Sequence, residues 1–478
     1  MGKKEKRKKR IFLDYAAITP VDFEVAKEME KVQKNFWANP SSLHTEGEKA
    51  KEILEEARIR IARILHCKAS EVFFTSSGTE SLNIAILGVV KSQGQSFGAG
   101  TVQGLLLDSV SQRSGICRED ALLGTKLKSD LGFALPHIIT STIEHPAVLE
   151  PIKSLLKEGK AEVSFIAPNE KGIIKPESIK NEIKNNTVLV VIQHANNEIG
   201  TIQPIQKIAR VIREYKQKNP RTLLVQNKPL EGPYFLVDAS QSALYKDVSI
   251  ERLGADLLVL DGIKIYGPRG IALLVVKTGT KISPIIFGGG QERGLRSGTE
   301  NVVGSIGLAK ALELAYRGGE KETNRLTKLR DYAIQKILKE IPNTSLNGGL
   351  ENRLPNNINI CFAKNQSRTF GTEAVQSPTL VFQNFTPQGA PLKTLAPKGA
   401  SQITPLDSEF LVIKLDTMGF AVSAASACHS LRLENGSYVI EAVSNKKCAS
   451  SSLRFTLGRS TTKADLDKLI EALKKIIK

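Results

Sequence analysis

Apolar residues recur along the chain in two alternating patterns. Over Glu48–His66 they return every three or four positions, which predicts a helix with one buried face. The next run, Glu71–Thr75, is rich in β-forming residues and predicts a strand. Later strands are separated by helical segments such as Ala147–Leu156 and Ile205–Tyr215. These strands are predicted at His137–Ser141, Val163–Ala167, Val188–Gln193, Phe235–Val237, Asp256–Leu260 and Ile271–Val276. Strand–helix alternation of this length predicts an α/β fold, with a mostly parallel sheet covered on both faces.

The pattern changes in the last third of the chain. A long helical pattern from about Asn301 to Ile341 leads into a smaller α+β region. Its predicted elements are a strand at Asn357–Phe362, a helix near Ser408–Leu415, a strand at Leu453–Thr456 and a final helix from Ala464. We therefore predict a basic tail at 1–10, a large α/β domain at 11–300 and a small C-terminal α+β domain at 301–478.

Two stretches break the alternation. Residues 93–135 are rich in Gly, Ser, Gln and Leu, and residues 364–406 are rich in Thr, Pro, Gln and Ala. Loops of this length without periodicity are uncommon inside compact domains. We interpret them as insertions, one in each domain.

Composition narrows the class of protein. The 478 residues are 41% hydrophobic and 24% charged, which is typical of globular proteins, and no apolar run approaches the roughly 20 residues that span a bilayer. The first residues lack the apolar segment of a secretory signal. These features predict a cytoplasmic protein without a membrane partner.

Charge is concentrated at the N-terminus. The formal net charge is +18, and residues 3–10 contain seven basic residues and Glu5. A short basic arm can bind nucleic acid or anionic lipid. No aromatic residues are interleaved with these charges, as stacking on bases would require, so a solvated tail is favoured and no nucleic acid partner is expected.

The five cysteines, at 67, 117, 361, 428 and 448, form no C-x-x-C pair. This spacing argues against a disulfide scaffold and against a structural zinc site. No metal is therefore expected, and a single chemically active cysteine remains possible.

Two predicted strands end in residues that carry chemistry. Lys264 follows one of them and precedes a turn rich in glycine and proline, at the sheet edge where α/β enzymes usually hold their ligands. Asp238 ends another strand, where a carboxylate can keep a ring nitrogen protonated. Taken singly, the lysine could be a surface residue at a turn and the aspartate a helix cap.

Three further segments carry polar groups to the same edge. Thr75–Ser81 joins a strand to a helix through hydroxyl residues and Gly78, which suits either a phosphate or a simple helix cap. His145 lies just beyond a strand end, where an imidazole can shuttle protons. His194–Gly200 places amides beyond another strand.

Read in order, these segments resemble the cysteine desulfurases of the NifS/IscS type, within the class V aminotransferase group of fold-type I pyridoxal-phosphate enzymes. The resemblance runs from Ile11 to the C-terminus apart from the two insertions. Its motifs are LDYA from Leu13, NPSS from Asn39, TSSGTES at 75–81, HANNEIG at 194–200, KIYGPRG at 264–270, GGGQERGLRSGTEN at 288–301 and SAASAC at 423–428.

The resemblance implies a role for each matching residue, with pyridoxal 5′-phosphate as cofactor and L-cysteine as substrate. Lys264 matches the Schiff-base lysine and Cys428 the cysteine that receives sulfur as a persulfide. The cofactor contacts are His145 on the ring, Asp238 at the ring nitrogen, Gln241 and Asn197 near the phenolic oxygen, and Gly78 and Thr79 at the phosphate. Thr299 matches a phosphate ligand lent by a second subunit, which implies a homodimer. Arg454, assisted by Asn39, matches the group that grips the substrate carboxylate.

The loop around Cys428 favours this role. A buried structural cysteine is the commoner state, but Ser-Ala-Cys-His-Ser is polar and small, as a mobile nucleophile requires. The persulfide is then expected to pass to an iron–sulfur scaffold or another sulfur acceptor, for cluster assembly or for thiolation of cofactors or tRNA.

The sequence departs from the family at the phosphate. The family usually has Ser-Gly-His before the lysine, whereas this chain has Asp261 and Ile263. An aspartate repels a phosphate dianion and isoleucine offers it no donor. We expect Asp261 to turn aside and cofactor affinity to be lower than usual.

Two alternatives remain open. One is a related class V enzyme, such as a selenocysteine lyase or an aminotransferase, which the Cys428 loop disfavours. The other is a weakly active scaffold subunit, which Asp261 and Ile263 favour.

Overall fold

The computed structural model describes residues 10–94, 135–219, 224–225, 228–229, 232–362, 407–424 and 436–477. The predicted insertions and the basic tail lie almost wholly outside these ranges. In chain order the strands are β1 Ile11–Phe12, β2 Val72–Thr75, β3 His137–Ser141, β4 Glu162–Ile166, β5 Thr187–Gln193, β6 Leu224–Val225, β7 Lys228–Pro229, β8 Tyr234–Asp238, β9 Leu257–Asp261, β10 Ala272–Val276, β11 Ser345–Leu346, β12 Asn357–Cys361, β13 Phe420–Ala421 and β14 Ser452–Thr456. The helices are α1 Phe23–Asn35, α2 Thr45–Leu65, α3 Gly78–Gly94, α4 Pro146–Lys157, α5 Pro176–Glu182, α6 Ile205–Lys218, α7 Ile250–Leu253, α8 Val302–Glu340, α9 Ser408–Thr417, α10 Tyr438–Val443, α11 Lys446–Ser450 and α12 Lys463–Ile477.

A seven-stranded sheet forms the centre of the molecule, in the order β2-β10-β9-β8-β5-β3-β4. All neighbours in it are parallel except β10, which is antiparallel to both β2 and β9. Strands such as β5 and β9 are buried along their whole length. Separate apolar clusters cover the two faces, so the prediction of a mostly parallel sheet with two covered faces is confirmed.

A second apolar core lies around the three-stranded antiparallel sheet β11-β12-β14. Helix α8 contributes to both cores, since its N-terminal half packs on the large sheet and its C-terminal half on the small one. Strand β1 pairs with β13, and Leu13 is buried in the small core. Strand β1 therefore belongs to the small unit, and its pairing with β13 was not predicted from the sequence pattern.

The small unit contains a disulfide between Cys361 and Cys448. Both half-cystines are buried, in a cluster that also contains Ile143 and Ile199 of the large unit. The spacing of the cysteines gave no sign of this pair, because 87 residues separate its members. Two distant segments are brought together only by the fold.

Parallel pairing aligns the carboxyl ends of β5, β8 and β9 at one edge of the large sheet. Gln193 is the register partner of Asp238, and Asp238 of Val259, two residues before Asp261. Side chains that follow these strands therefore converge. Among the described residues, no helix is both long and apolar enough to cross a membrane.

Candidate active site

A cavity of about 250 Å³ opens at this edge of the sheet. Eight of the residues singled out in the sequence line it: Gly78, Thr79, His145, Asn197, Asp238, Gln241, Lys264 and Arg454. They come from the loops after β2, β3, β5, β8, β9 and from β14. The fold thus brings together groups that are up to 376 residues apart, from Gly78 to Arg454.

Lys264 ends a 3₁₀ turn that directly follows β9. Its ammonium Nζ donates to the carbonyl oxygens of Ala16 at 2.9 Å and Ala17 at 2.6 Å. The Gln241 side chain donates to the same Ala16 oxygen at 3.0 Å. Carbonyl groups of the N-terminal segment therefore hold the lysine in place. The sequence did not predict this contact, because backbone carbonyls are the same at every position.

Asp238 ends β8 with its carboxylate facing the cavity. Its Oδ1 accepts hydrogen bonds from the hydroxyl of Ser240 at 2.7 Å and from the backbone N–H of Ser240 at 3.0 Å. This pair of bonds holds the carboxylate in one orientation. Ser240 also lines the cavity, and its role was not predicted.

His145 is the N-cap of α4, and its Nδ1 accepts from the backbone N–H of Ala147 at 3.1 Å. Behind it lies Glu144, which is fully buried. The carboxylate of Glu144 accepts from the Ser141 hydroxyl at 2.5 Å and from the Gln193 backbone N–H at 2.8 Å. Burial raises the pKa of Glu144 to about 8. The residue next to the histidine is thus a buried acid that connects β3 to β5 through its hydrogen bonds.

Arg454 on β14 is 1% exposed. Its guanidinium donates from Nη1 to the carbonyl oxygen of Asn197 at 3.1 Å and from Nη2 to Asp14 Oδ1 at 2.8 Å. The remaining donor, Nε, is buried and has no hydrogen-bond partner in the described part of the protein. Because Arg454 also lines the cavity and a guanidinium is a planar donor for carboxylates, the residue is suited to bind a ligand carboxylate.

The start of α3 forms another part of the cavity wall, which we name the phosphate end, and we name the part lined by Lys264, Asp238 and Arg454 the reacting end. The backbone N–H of Gly78 donates to Oδ2 of Asp261 at 2.9 Å, and the N–H of Ile263 donates to Oδ1 at 3.2 Å. Burial raises the pKa of Asp261, against the opposing effect of these two bonds. The expectation that Asp261 turns aside is wrong: its carboxylate points at the helix N-terminus, where backbone N–H groups have no partner within the helix.

Two predicted residues do not line this cavity, and a third lies outside the described residues. Asn39 and Thr299 are exposed and do not line it. Asn39 instead caps its own turn, with Oδ1 accepting from Ser41 N–H at 2.9 Å. Cys428 lies outside the described residues, although Ser423 at the start of its segment pairs with Arg454 through both backbone groups. The roles assigned to these three residues remain predictions.

The donor set fits pyridoxal phosphate. An amine, an oriented carboxylate, an imidazole and side-chain amides surround one cavity, and the N-terminus of a 17-residue helix faces its far end. The misfit lies at Asp261 and Ile263, which both line the cavity. Among the described residues, no group of three or more His, Cys, Asp or Glu side chains is placed to hold a metal ion.

Comparison with known proteins agrees with this geometry. The sequence model of the class V aminotransferase family matches residues 11–100 and 134–377. The chain therefore belongs to the class V aminotransferase family, whose cysteine desulfurase members use pyridoxal 5′-phosphate. The resemblance predicted from the motifs is confirmed.

Three individual proteins show which members of the family the chain is similar to. The chain is 37% identical to a protein named cysteine desulfurase IscS from Dictyoglomus turgidum, over 98% of this chain and 95% of the relative. Its fold is similar to that of a NifS-like protein, with a TM-score of 0.70 and 27% identity over 98% of both chains. It is also similar to a structure of SspA in complex with cysteine, with a TM-score of 0.63 and 26% identity over 94% of this chain and 98% of the other.

Proposed function

We propose that the protein is a cysteine desulfurase, which converts L-cysteine to L-alanine and transfers the sulfur to Cys428. One observation carries the proposal: Lys264, Asp238 with its oriented carboxylate, and Arg454 line a single cavity. The similarity to the desulfurase from Dictyoglomus turgidum supports the same activity.

Arg454 binds the carboxylate of cysteine, while Asp14 and the Asn197 carbonyl hold the guanidinium in place at the cavity. Asp238 holds a proton on the cofactor's ring nitrogen, and the two bonds from Ser240 keep it oriented. When bound, pyridoxal phosphate supplies an electron sink for charge that develops at the substrate's Cα.

Two groups move protons. The Nζ of Lys264 takes the proton from Cα of the substrate, because it is fixed at the cavity floor by the Ala16 and Ala17 carbonyls. The imidazole of His145 assists a second transfer at the substrate thiol. The thiolate of Cys428 then attacks the substrate sulfur: the Cβ–S bond breaks, an S–S bond forms, and the electron pair left on carbon is protonated to give alanine.

Assembly and partners belong to the same proposal. The exposed Thr299 lies outside its own cavity, which supports its contribution to the site of a second subunit in a homodimer. The persulfide then passes to a sulfur acceptor or an iron–sulfur scaffold in the cytoplasm. Analytical ultracentrifugation tests the dimer, and a Thr299→Ala variant should weaken cofactor binding without altering the dimer.

The activity is tested with L-cysteine, pyridoxal phosphate and a dithiol reductant. We expect alanine and sulfide in equal amounts over many turnovers. Cys428→Ser should lower alanine formation by about 100-fold or more, because a hydroxyl cannot replace the thiolate. Cys67→Ser is the matched control: Cys67 is a half-buried free thiol whose pKa is raised to about 12 by burial, so its loss should leave turnover unchanged.

Two results would contradict the proposal. Formation of a keto acid in place of alanine would indicate an aminotransferase. Unchanged alanine formation in Cys428→Ser would remove the cysteine from the mechanism.

A second candidate is a weakly active scaffold subunit. It is favoured by the carboxylate of Asp261 at the amide where a phosphate is expected. The same assay separates the two functions, because a scaffold would form less than one alanine per subunit even at saturating cofactor.

A further inference from the structure

Asp261 occupies the position at which an anionic ligand would meet α3. A helix N-terminus offers unpaired N–H groups and a partial positive charge, and so attracts anions. Here the first such group, the N–H of Gly78, already donates to Oδ2 of Asp261 at 2.9 Å. The Asp261 carboxylate thus binds where an anionic ligand would bind at the helix N-terminus.

The fit between this carboxylate and the helix is close. A Cβ atom on Gly78 would lie 3.1 Å from Oδ2 and 3.4 Å from Cβ of Asp261, so little space separates the strand end from the helix start. The other oxygen, Oδ1, accepts from the N–H of Ile263, and the whole residue is 8% exposed. The carboxylate cannot leave this place without giving up both bonds.

The charges around Asp261 act on it in opposite directions. Lys264 faces it from the same turn and stabilises its charge, while Asp238, at the end of the neighbouring strand, opposes it. Glu80 on α3 is paired with Arg296 at 2.8 Å. The other titratable groups at the cavity are His145 and Arg454. A phosphate dianion placed here adds two negative charges within a few ångströms of a buried carboxylate.

We propose that Asp261 sets the cofactor affinity of this protein: its carboxylate competes with the cofactor phosphate for the α3 amide, so that binding requires Asp261 to take up a proton from solvent. The neutral acid then donates to a phosphate oxygen instead of repelling it. The raised pKa of this buried group is consistent with such uptake. The inference rests on the proposed function in requiring that the cavity hold pyridoxal phosphate.

Three consequences can be measured on the apo-protein titrated with pyridoxal phosphate. Asp261→Asn keeps the shape of the side chain and an acceptor for Gly78, but removes the charge, so it should bind at least about tenfold more tightly at pH 8. Asp261→Ser should also bind more tightly. The Kd of the natural protein should rise more steeply between pH 6.5 and 9 than that of Asp261→Asn, because more protein then carries the charged acid. The phosphate's own ionisation near pH 6 is common to both proteins.

Proton uptake gives an independent readout. Calorimetric titration in buffers of different ionisation enthalpy should show close to one more proton bound per cofactor in the natural protein than in Asp261→Asn at pH 8. The matched control is Asp407→Asn, which removes an aspartate that caps α9 through the N–H of Glu409 at 2.9 Å and does not line the cavity. This control should change neither Kd nor proton count.

The outcomes separate this inference from the proposed function. Equal or weaker binding by both Asp261 variants, with unchanged proton uptake, would overturn the inference alone if the visible absorbance of lysine-bound cofactor still appears. Absence of that absorbance in every variant would overturn both.

Discussion

The two ends of the cavity differ in what their polar groups are bound to. At the reacting end, Lys264, Asp238 and Arg454 are held by groups that suit their proposed roles, which are carbonyl oxygens, a serine and an aspartate respectively. At the phosphate end, the helix N-terminus is present, but a carboxylate of the protein itself already binds its first amide. The groups at the reacting end are already held in place, whereas we propose that the carboxylate at the phosphate end must gain a proton before the cofactor binds.

From this difference we expect that positioning a cofactor's ring and binding its phosphate are separable functions. The ring end depends on side chains from four strand ends and from β14. The phosphate end depends on one helix and on the residues directly before Lys264. Substitution at Asp261 should therefore change how tightly the cofactor binds, without disturbing the groups that act on the substrate.

The largest effect that separates the two ends is expected from Arg454→Lys. A lysine cannot reach a carboxylate and also keep the bonds to Asp14 and Asn197, and a hydrogen bond to a charged group contributes about 1.5–3 kcal/mol. That corresponds to roughly a 10- to 150-fold loss in kcat/KM for L-cysteine. Cofactor affinity should stay within about twofold of the natural protein's.

The control for this variant is Arg459→Lys, which makes the same change outside the cavity. The measurement is a steady-state alanine assay at saturating cofactor. If Arg454→Lys weakens cofactor binding as much as it weakens turnover, the two ends of the cavity are not separable.

A smaller effect is expected from Glu144→Gln, on stability. Burial raises the pKa of Glu144 to about 8, so the folded protein favours the neutral acid. The stabilisation is fully present below the ordinary pKa of about 4.5 and is lost as pH rises through 8, at up to about 1.4 kcal/mol per pH unit. The thermal midpoint of the natural apo-protein should fall between pH 5.5 and 8 by several degrees more than that of Glu144→Gln.

Glu170→Gln, at an exposed position, is the matched control for this measurement. Parallel pH dependence in the natural protein and Glu144→Gln would show that the buried acid beneath His145 stays charged. Glu144 would then act on His145 and the reacting end through its negative charge.

Much of the fold could be predicted from the sequence where local signals were strong. The strand at His137–Ser141 is observed with the predicted bounds, and the long helix begins and ends within a residue of its expected limits. Motif order identified the family. The convergence of Lys264 and Asp238 follows from the strand pattern, because the parallel strands β8 and β9 end at a common edge. The arrival of Arg454 does not follow from it, because β14 belongs to the small antiparallel sheet.

Other features have no local signal. The disulfide between Cys361 and Cys448 and the pairing of β1 with β13 join segments that are far apart in the chain. The direction of the Asp261 side chain was predicted wrongly. The prediction rested on repulsion from an expected phosphate, whereas the side chain is oriented by its hydrogen bond from the Gly78 amide. Cys428 remains a prediction from its motif.

Reduction of the cofactor-loaded protein with borohydride, followed by digestion and mass spectrometry, tests most directly whether Lys264 holds the cofactor. We expect the phosphopyridoxyl group on the peptide that contains Lys264. Its attachment to any other lysine, or to none, would contradict the assignment of this cavity as the active site.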